Sequence, residues 1–346
     1  MNKKVLGIAV ALMAVAVLAT PMLNTVEAFW FGRRYSVTDM DSYTEYVGTL
    51  AGANFVLRIP DEWNGMLVIG CHGYMALNWN PDAQFAVDNL VNTAGVGLPF
   101  ALLDQGFAYA ASSYGEGGFS IKAGMTSTVQ LTLFSLNMLR CQFKRCHNIK
   151  TYLIGHSMGG LISLLLGAKY PKLCCGLSYP KLCCGLLYPK LYDGVLDISG
   201  MKNITMGYKD SVNIIADIES IPPEVWDSFS QKYKNYLLSV LAMLKPMVAD
   251  MEAECGGTYD EKPEAYEIRN PTSNAEICIP VISVNGALDP LTSPLQGHSY
   301  EVAVAAAGCS EYYRLYTAAT GGHGDAPTID EALSHFDELV NYPAGW

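Results

Sequence analysis

The chain has 346 residues, half of them hydrophobic and 16% charged, with a formal net charge of -11. That length suits one large core with insertions or two ordinary domains, and the composition is too apolar for a disordered chain. An acidic surface repels phosphate backbones, which argues against a nucleic-acid partner.

Residues 1–28 read as a secretory signal. Lys3 and Lys4 form a charged start, Val5 to Ala19 is an apolar run, Pro21 breaks it, and Val26-Glu27-Ala28 fits a small-x-small cleavage site. An uncleaved membrane anchor is the competing reading, with Phe29-Trp30-Phe31 at the interface. Membrane association is expected only through that segment, and the expected location is secreted. Ten cysteines fit an oxidising compartment. A Cys255–Cys278 bridge is the favoured pairing, because it would tie down an insertion. Cys71 and Cys309 read equally well as small buried hydrophobes. No Cys/His cluster has zinc spacing, so no metal is expected.

Residues 29–42 are read as a polar lead-in. Tyr43 to Leu50 and Asn54 to Ile59 read as a hairpin, and Met66 to Cys71 as a buried strand. A loop and helix run to about Gln105, followed by a strand from Phe107 to Ser112. Ile121 to Arg145 has apolar residues at helical spacing. Lys150 to Ile154 reads as a strand and Ser157 to Lys169 as a helix. Gly194 to Ser199, Ile279 to Asn285 and Tyr312 to Thr317 read as strands, and Ile329 to Val340 as a helix. Strands alternating with helices predict a mostly parallel, doubly wound α/β sheet.

Two segments break the rhythm. Within 170–191 a nine-residue unit recurs, beginning at Tyr170, Tyr179 and Tyr188. Three short copies do not make a solenoid. Their paired cysteines suit soft-metal binding or cross-linking, but a duplication scar is the plainer reading. Residues 201–275 predict a helical cap, with helices over Val212 to Ile218 and Glu224 to Leu244, ending before Pro246. Trp226, Phe229, Tyr233, Tyr236, Leu237 and Leu244 are its expected apolar face, laid on the core or over a pocket. The core would comprise residues 43–200 and 276–346.

The strongest chemical signal is Gly155-His156-Ser157-Met158-Gly159, directly after a strand and before a helix. That context is what G-x-S-x-G requires: small residues at 155 and 159 let the helix close on the strand, and the turn projects a serine hydroxyl above the sheet edge. A serine needs a base to take its proton, and the base needs a carboxylate to hold its tautomer. Of the six histidines, His156 is expected to point away from the turn, and His147 precedes a strand at the wrong end. His298 and His335 read as helical, and His72 as a brace for its own loop. Only His323 follows a strand end within a glycine-rich loop. Asp325 is too close to His323 to orient it from behind. Asp197 lies inside a strand, as a satisfied buried carboxylate.

At these residues the chain resembles the α/β-hydrolase superfamily, over roughly residues 43–343. The resemblance implies a triad in the order Ser157, Asp289, His323, with Asp289 after the penultimate strand. It implies an oxyanion hole from the backbone N–H groups of Met158 and Tyr74, the latter in the loop His72-Gly73-Tyr74. It implies no cofactor. The runs Trp63 to Val68 and Leu103 to Tyr114 resemble secreted feruloyl esterases, polyester depolymerases and prolyl-oligopeptidase catalytic domains. The expected activity is therefore hydrolysis of small or polymeric carboxylic esters. The alternatives are a prolyl-oligopeptidase-type peptidase, a lipase or polyester depolymerase, and a binding protein on the same fold. If the repeat is only a scar, deleting residues 171–188 will leave activity intact. A large loss of soluble, active protein would refute that reading.

Overall fold

The computed structural model describes residues 35–75, 98–143, 149–171, 191–324 and 327–342. The signal segment, most of the repeat, His147 and Asp325 lie outside the described residues.

Among the described residues the core is a nine-stranded sheet in the order β1-β2-β3-β5-β4-β6-β7-β8-β9. Three strands enter antiparallel: β1 (Tyr35–Asp39), β2 (Tyr43–Leu50) and β3 (Ala53–Pro60). The remaining six are mutually parallel: β4 (Met66–Cys71), β5 (Ala108–Ser112), β6 (Lys150–His156), β7 (Gly194–Ile198), β8 (Val281–Gly286) and β9 (Tyr313–Ala318). Residues 35–39 thus correct the lead-in. They form an edge strand, but only Tyr35 is even partly covered, so no buried face marked it.

Period-two alternation splits the core in two. Val68, Tyr152, Ile154, Leu196 and Ile282 face one side, against Leu98 and Leu102 of helix α1 (Leu98–Asp104) and Phe336 and Leu339 of helix α9 (Ile329–Val340). Leu67, Ile69, Leu153, Val195 and Val281 face the other. That side carries helices α2 (Ile121–Phe143), α3 (Met158–Lys169) and α8 (Pro294–Ala306). Strands buried on both faces are what a doubly wound sheet demands.

Strand order reverses at one place. From β4 the chain steps outward to β5, then crosses back to β6 on the other side of β4. Crevices form outside the carboxyl ends of strands at such a switch point. Here those ends carry His72-Gly73-Tyr74 after β4 and Ser157 after β6, with Cys71 opposite Gly155 in register.

The insertion between β7 and β8 is helical, as expected. It comprises α4 (Ile204–Glu219), α5 (Pro223–Ser228), α6 (Gln231–Cys255) and α7 (Pro263–Ile268). Two expectations are corrected. α6 continues through Pro246 to Cys255, because Met247, Met251 and Cys255 beyond it are buried, and that packing outweighs the proline's lost hydrogen bond. The expected apolar face is buried only in part: Leu237 and Leu244 are buried as expected, but Tyr233 and Tyr236 are exposed, and Trp226, Phe229, Tyr233 and Tyr236 contact one another ring to ring. The expected Cys255–Cys278 bridge is also absent. Cys255 is a thiol packed in the core at the end of α6, where burial pushes its pKa up to about 11. Cys71 is buried as expected, and Cys309 is half-buried. No helix among the described residues is long and apolar enough to cross a membrane. Around the repeat, Tyr170 O accepts from Leu191 N at 3.0 Å and Tyr192 N at 3.1 Å, so the insertion's two ends meet.

A fully buried ion pair joins the ends of β7 and β8. Lys202 Nζ lies 2.7 Å from Asp197 Oδ2 and donates to Asn285 Oδ1 at 2.8 Å, while Ser283 donates to Asp197 at 2.7 Å. Removing one partner of a buried pair leaves an uncompensated charge. Lys202→Met is therefore expected to lower the unfolding free energy by about 3–5 kcal/mol. The double variant Asp197→Asn, Lys202→Met should recover much of that loss in urea denaturation. A single variant as stable as the parent would refute the assignment.

Candidate active site

Ser157 sits between β6 and α3 at φ 54° and ψ −122°, a backbone conformation that side chains other than glycine rarely adopt. Its neighbours enforce this. A Cβ at Gly155 would lie 2.2 Å from Gly159 O, and one at Gly159 would lie 2.0 Å from Cys71 O. No side chain fits at either position. Ser157 N donates to Ile198 O at 3.1 Å, and Ser157 O accepts from Met201 N at 3.2 Å, which ties the turn to the end of β7.

The three residues expected to act together meet. His323 Nε2 is 2.8 Å from Ser157 Oγ, and His323 Nδ1 is 2.9 Å from Asp289 Oδ2. A carboxylate only accepts, so Nδ1 carries the proton and Nε2 is left to accept from the serine hydroxyl. Asp289 is buried at the end of the β8 loop. Its Oδ1 accepts from the amides of Leu291 and Thr292, each at 2.9 Å, and the Thr292 hydroxyl lies 2.5 Å from Oδ2. Burial alone would raise the Asp289 carboxyl. The His323 bond and charge, with the Thr292 bonds, outweigh it and hold the group well below the ordinary carboxylate value.

His323 is brought to Asp289 by close backbone packing. A Cβ at Gly286 would lie 2.6 Å from Gly321 O, and Leu288 N donates to Gly321 O at 3.2 Å. As expected, His156 does not turn to the serine hydroxyl; its partner is new, since its Nε2–H donates to the His323 carbonyl at 2.7 Å. Because a carbonyl only accepts, this contact also fixes the His156 tautomer.

The loop after β4 faces the serine. A Cβ at Gly73 would lie 3.2 Å from Ser157 Cβ. His72 is buried and stacked on Tyr114 at 3.8 Å, and the Tyr114 hydroxyl donates to His72 O at 3.2 Å. His72 therefore braces its loop, as expected. Met158 opens α3, and the first N–H groups of a helix have no intrahelical partner. The Tyr74 side chain reaches away to the cap and donates to Asp250 Oδ2 at 2.7 Å.

Other candidates fall away from the site. His298 is exposed beside Glu301, and His335 stacks on Tyr316. Asp197 is the buried carboxylate expected but is satisfied only in part: Oδ2 takes both Lys202 and Ser283, while Oδ1 has no hydrogen-bond partner among the described residues, and nothing in the sequence pattern marked Lys202 as its partner. Thr292 was also missed. Its signal was present: a threonine three residues after an aspartate is the spacing of a local side-chain-to-backbone turn.

Among solved structures the chain is similar to an acylaminoacyl peptidase of Pyrococcus horikoshii, at TM-score 0.53 and 10% identity. That match covers 90% of this chain and 42% of the peptidase. It is also similar to an esterase of Pyrococcus furiosus, at TM-score 0.53 and 13% identity, covering 88% of this chain and 90% of the esterase. The chain has the α/β-hydrolase fold. It spans less than half the length of the peptidase it matches. No protein-family model and no curated protein matches it.

Two histidines make stability depend on pH. Burial holds His72 down from 6.5 to about 4, and burial with the neighbouring His323 holds His156 down to about 3. The folded state resists protonating them, so the unfolded chain binds more protons between pH 6.5 and those values. Stability is therefore complete above about pH 6.5 and falls as pH drops, by up to about 1.4 kcal/mol per pH unit for each histidine. Urea midpoints measured from pH 7 to pH 4 should show this slope, and His156→Gln should flatten it. A His156→Gln slope equal to the parent's would refute the assignment.

Proposed function

We propose that the chain is an exported serine hydrolase that cleaves carboxylic esters through an acyl-enzyme. The observation that carries the reading is the connected Ser157–His323–Asp289 geometry, with contacts of 2.8 and 2.9 Å, on a serine at positive φ. Ser157 Oγ attacks the ester carbonyl while His323 Nε2 takes its proton. Asp289 stabilises the resulting imidazolium, and the amides of Met158 and Tyr74 receive the oxyanion. His323 then protonates the departing alcohol. Water, deprotonated by the same histidine, releases the acid and restores the serine.

One feature supports esters over peptides: the esterase neighbour is matched over nearly its full length, whereas the peptidase is matched over less than half. A peptidase is the second reading, favoured by the likeness to the acylaminoacyl peptidase. The charged start, apolar run and Val26-Glu27-Ala28 support export.

The test is hydrolysis of p-nitrophenyl esters from acetate to palmitate, with acylaminoacyl and prolyl p-nitroanilides alongside. Ester turnover is expected, and Ser157→Ala should lose at least about 10⁴-fold in kcat. A fluorophosphonate should label the parent protein and not the variant. Anilide turnover without ester turnover would replace this reading with the peptidase. A folded protein that neither turns over substrate nor takes the label would end both.

A further inference from the structure

The loop that carries the Tyr74 amide is held from two directions. On the near side, His72 Nδ1 donates to Gly73 O at 2.8 Å. A trans peptide points its C=O and N–H in opposite directions, so this bond turns the Tyr74 N–H away from the His72 ring. Gly73 itself lies close against the serine, where a Cβ would be 3.2 Å from Ser157 Cβ and 3.3 Å from His156 Nδ1.

On the far side, the tie comes from the cap. The Tyr74 hydroxyl donates to Asp250 Oδ2 at 2.7 Å, a bond strengthened by the carboxylate's charge. Asp250 is itself wedged. A Cβ at Gly118 would lie 3.0 Å from the same Oδ2, and Gly118 N donates to Met75 O at 2.7 Å, one residue beyond Tyr74. The half of α6 that presents Asp250 is fixed to the core by Met247, Met251 and Cys255. Glu254 accepts from Lys122 N at 3.2 Å and from Arg269 Nε at 3.0 Å. A carboxylate from a different element, on an immobilised stretch of helix, thus grips the side chain next to the candidate oxyanion amide.

We infer that Asp250 is a positioning residue for the oxyanion hole, acting from the cap through the Tyr74 hydroxyl to set the direction of the Tyr74 N–H. The inference rests on reading Ser157 as the nucleophile. It makes the cap part of the machinery that stabilises the transition state, separate from any part it takes in admitting substrate. It also explains why residue 74 carries a hydroxyl when its amide alone would meet the substrate.

The experiment compares the full-length parent with Asp250→Leu, Asp250→Asn, Tyr74→Phe and the Tyr74→Phe, Asp250→Leu double variant. The substrate is the ester or anilide the parent cleaves best, and a trifluoromethyl ketone with a matching acyl group reports on oxyanion binding. Asp250→Leu and Tyr74→Phe should each lower kcat by about 10- to 100-fold, less than the roughly 10²- to 10³-fold of losing a donor outright. KM should change little, and the inhibition constant of the ketone should rise by the factor by which kcat falls. The double variant should be no worse than the poorer single one. Asp250→Asn should keep most of the activity, since an amide oxygen still accepts from the phenol. Unchanged kcat and ketone binding in the two single variants would overturn the inference, as would losses that multiply in the double variant. A loss confined to KM would also overturn it. A parent protein that cleaves neither substrate class and takes no fluorophosphonate label would overturn the hydrolase reading, and this inference with it.

Discussion

The architecture of the site depends on how closely α3 approaches the strands beneath it. Gly155 and Gly159 touch where no Cβ could stand, and a Cβ at Gly160 would lie 2.2 Å from Asp197 Oδ1. That contact distance forces the chain to turn within a single residue, which places Ser157 at positive φ with its hydroxyl above the sheet. It also draws β6 and β7 level, so that Ser157 binds backbone groups at the far end of β7. Everything else meets the serine there: the loop of β4 through Gly73, the acid through β8, the histidine through β9. The turn is strained, and strain of this kind persists only where surrounding contacts over-determine it.

A second polar framework supports the acid. Lys202, just past β7, bonds Asn285 at the end of β8, and Asn285 Nδ2 donates to Thr292 O at 2.9 Å. Thr292 in turn holds Asp289 by its amide and hydroxyl. The carboxylate is thus not fixed by its own short loop alone. It is referenced to two core strands through bonds among buried groups, each of which would be costly to break.

The sequence made the fold legible because strands buried on both faces are short apolar runs, and the helices between them keep a clear period. Met66 to Cys71 and Ile329 to Val340 have the boundaries expected. That Ser157, His323 and Asp289 would meet was legible because residues proposed as nucleophile, base and acid must each follow a strand end, which leaves few places for them. What escaped was contact between distant segments. β1 has no buried face to read. The partner of His156 escaped as well, because the spacing that reveals a turn says nothing of the carbonyl lying 167 residues further along. Lys202 looks like any surface lysine until Asp197 is beside it. The proline at 246 read as a stop, and only the core packing of Met247 and Met251 shows why the helix runs on.

The strand order carries one more consequence. Ser157 projects from β6, in the middle of the sheet, whereas His323 hangs from β9, the outermost strand on its side. Edge strands open to solvent exchange more readily than central ones, because one side of their ladder has no neighbour. The two halves of the Ser157–His323 contact therefore belong to regions of unequal local stability, and that hydrogen bond is only as durable as the weaker. The His156 bond to the His323 carbonyl runs directly from the central strand to the outer loop, bypassing β7 and β8. It is a strut across the sheet's end that lets a peripheral loop borrow the rigidity of the centre.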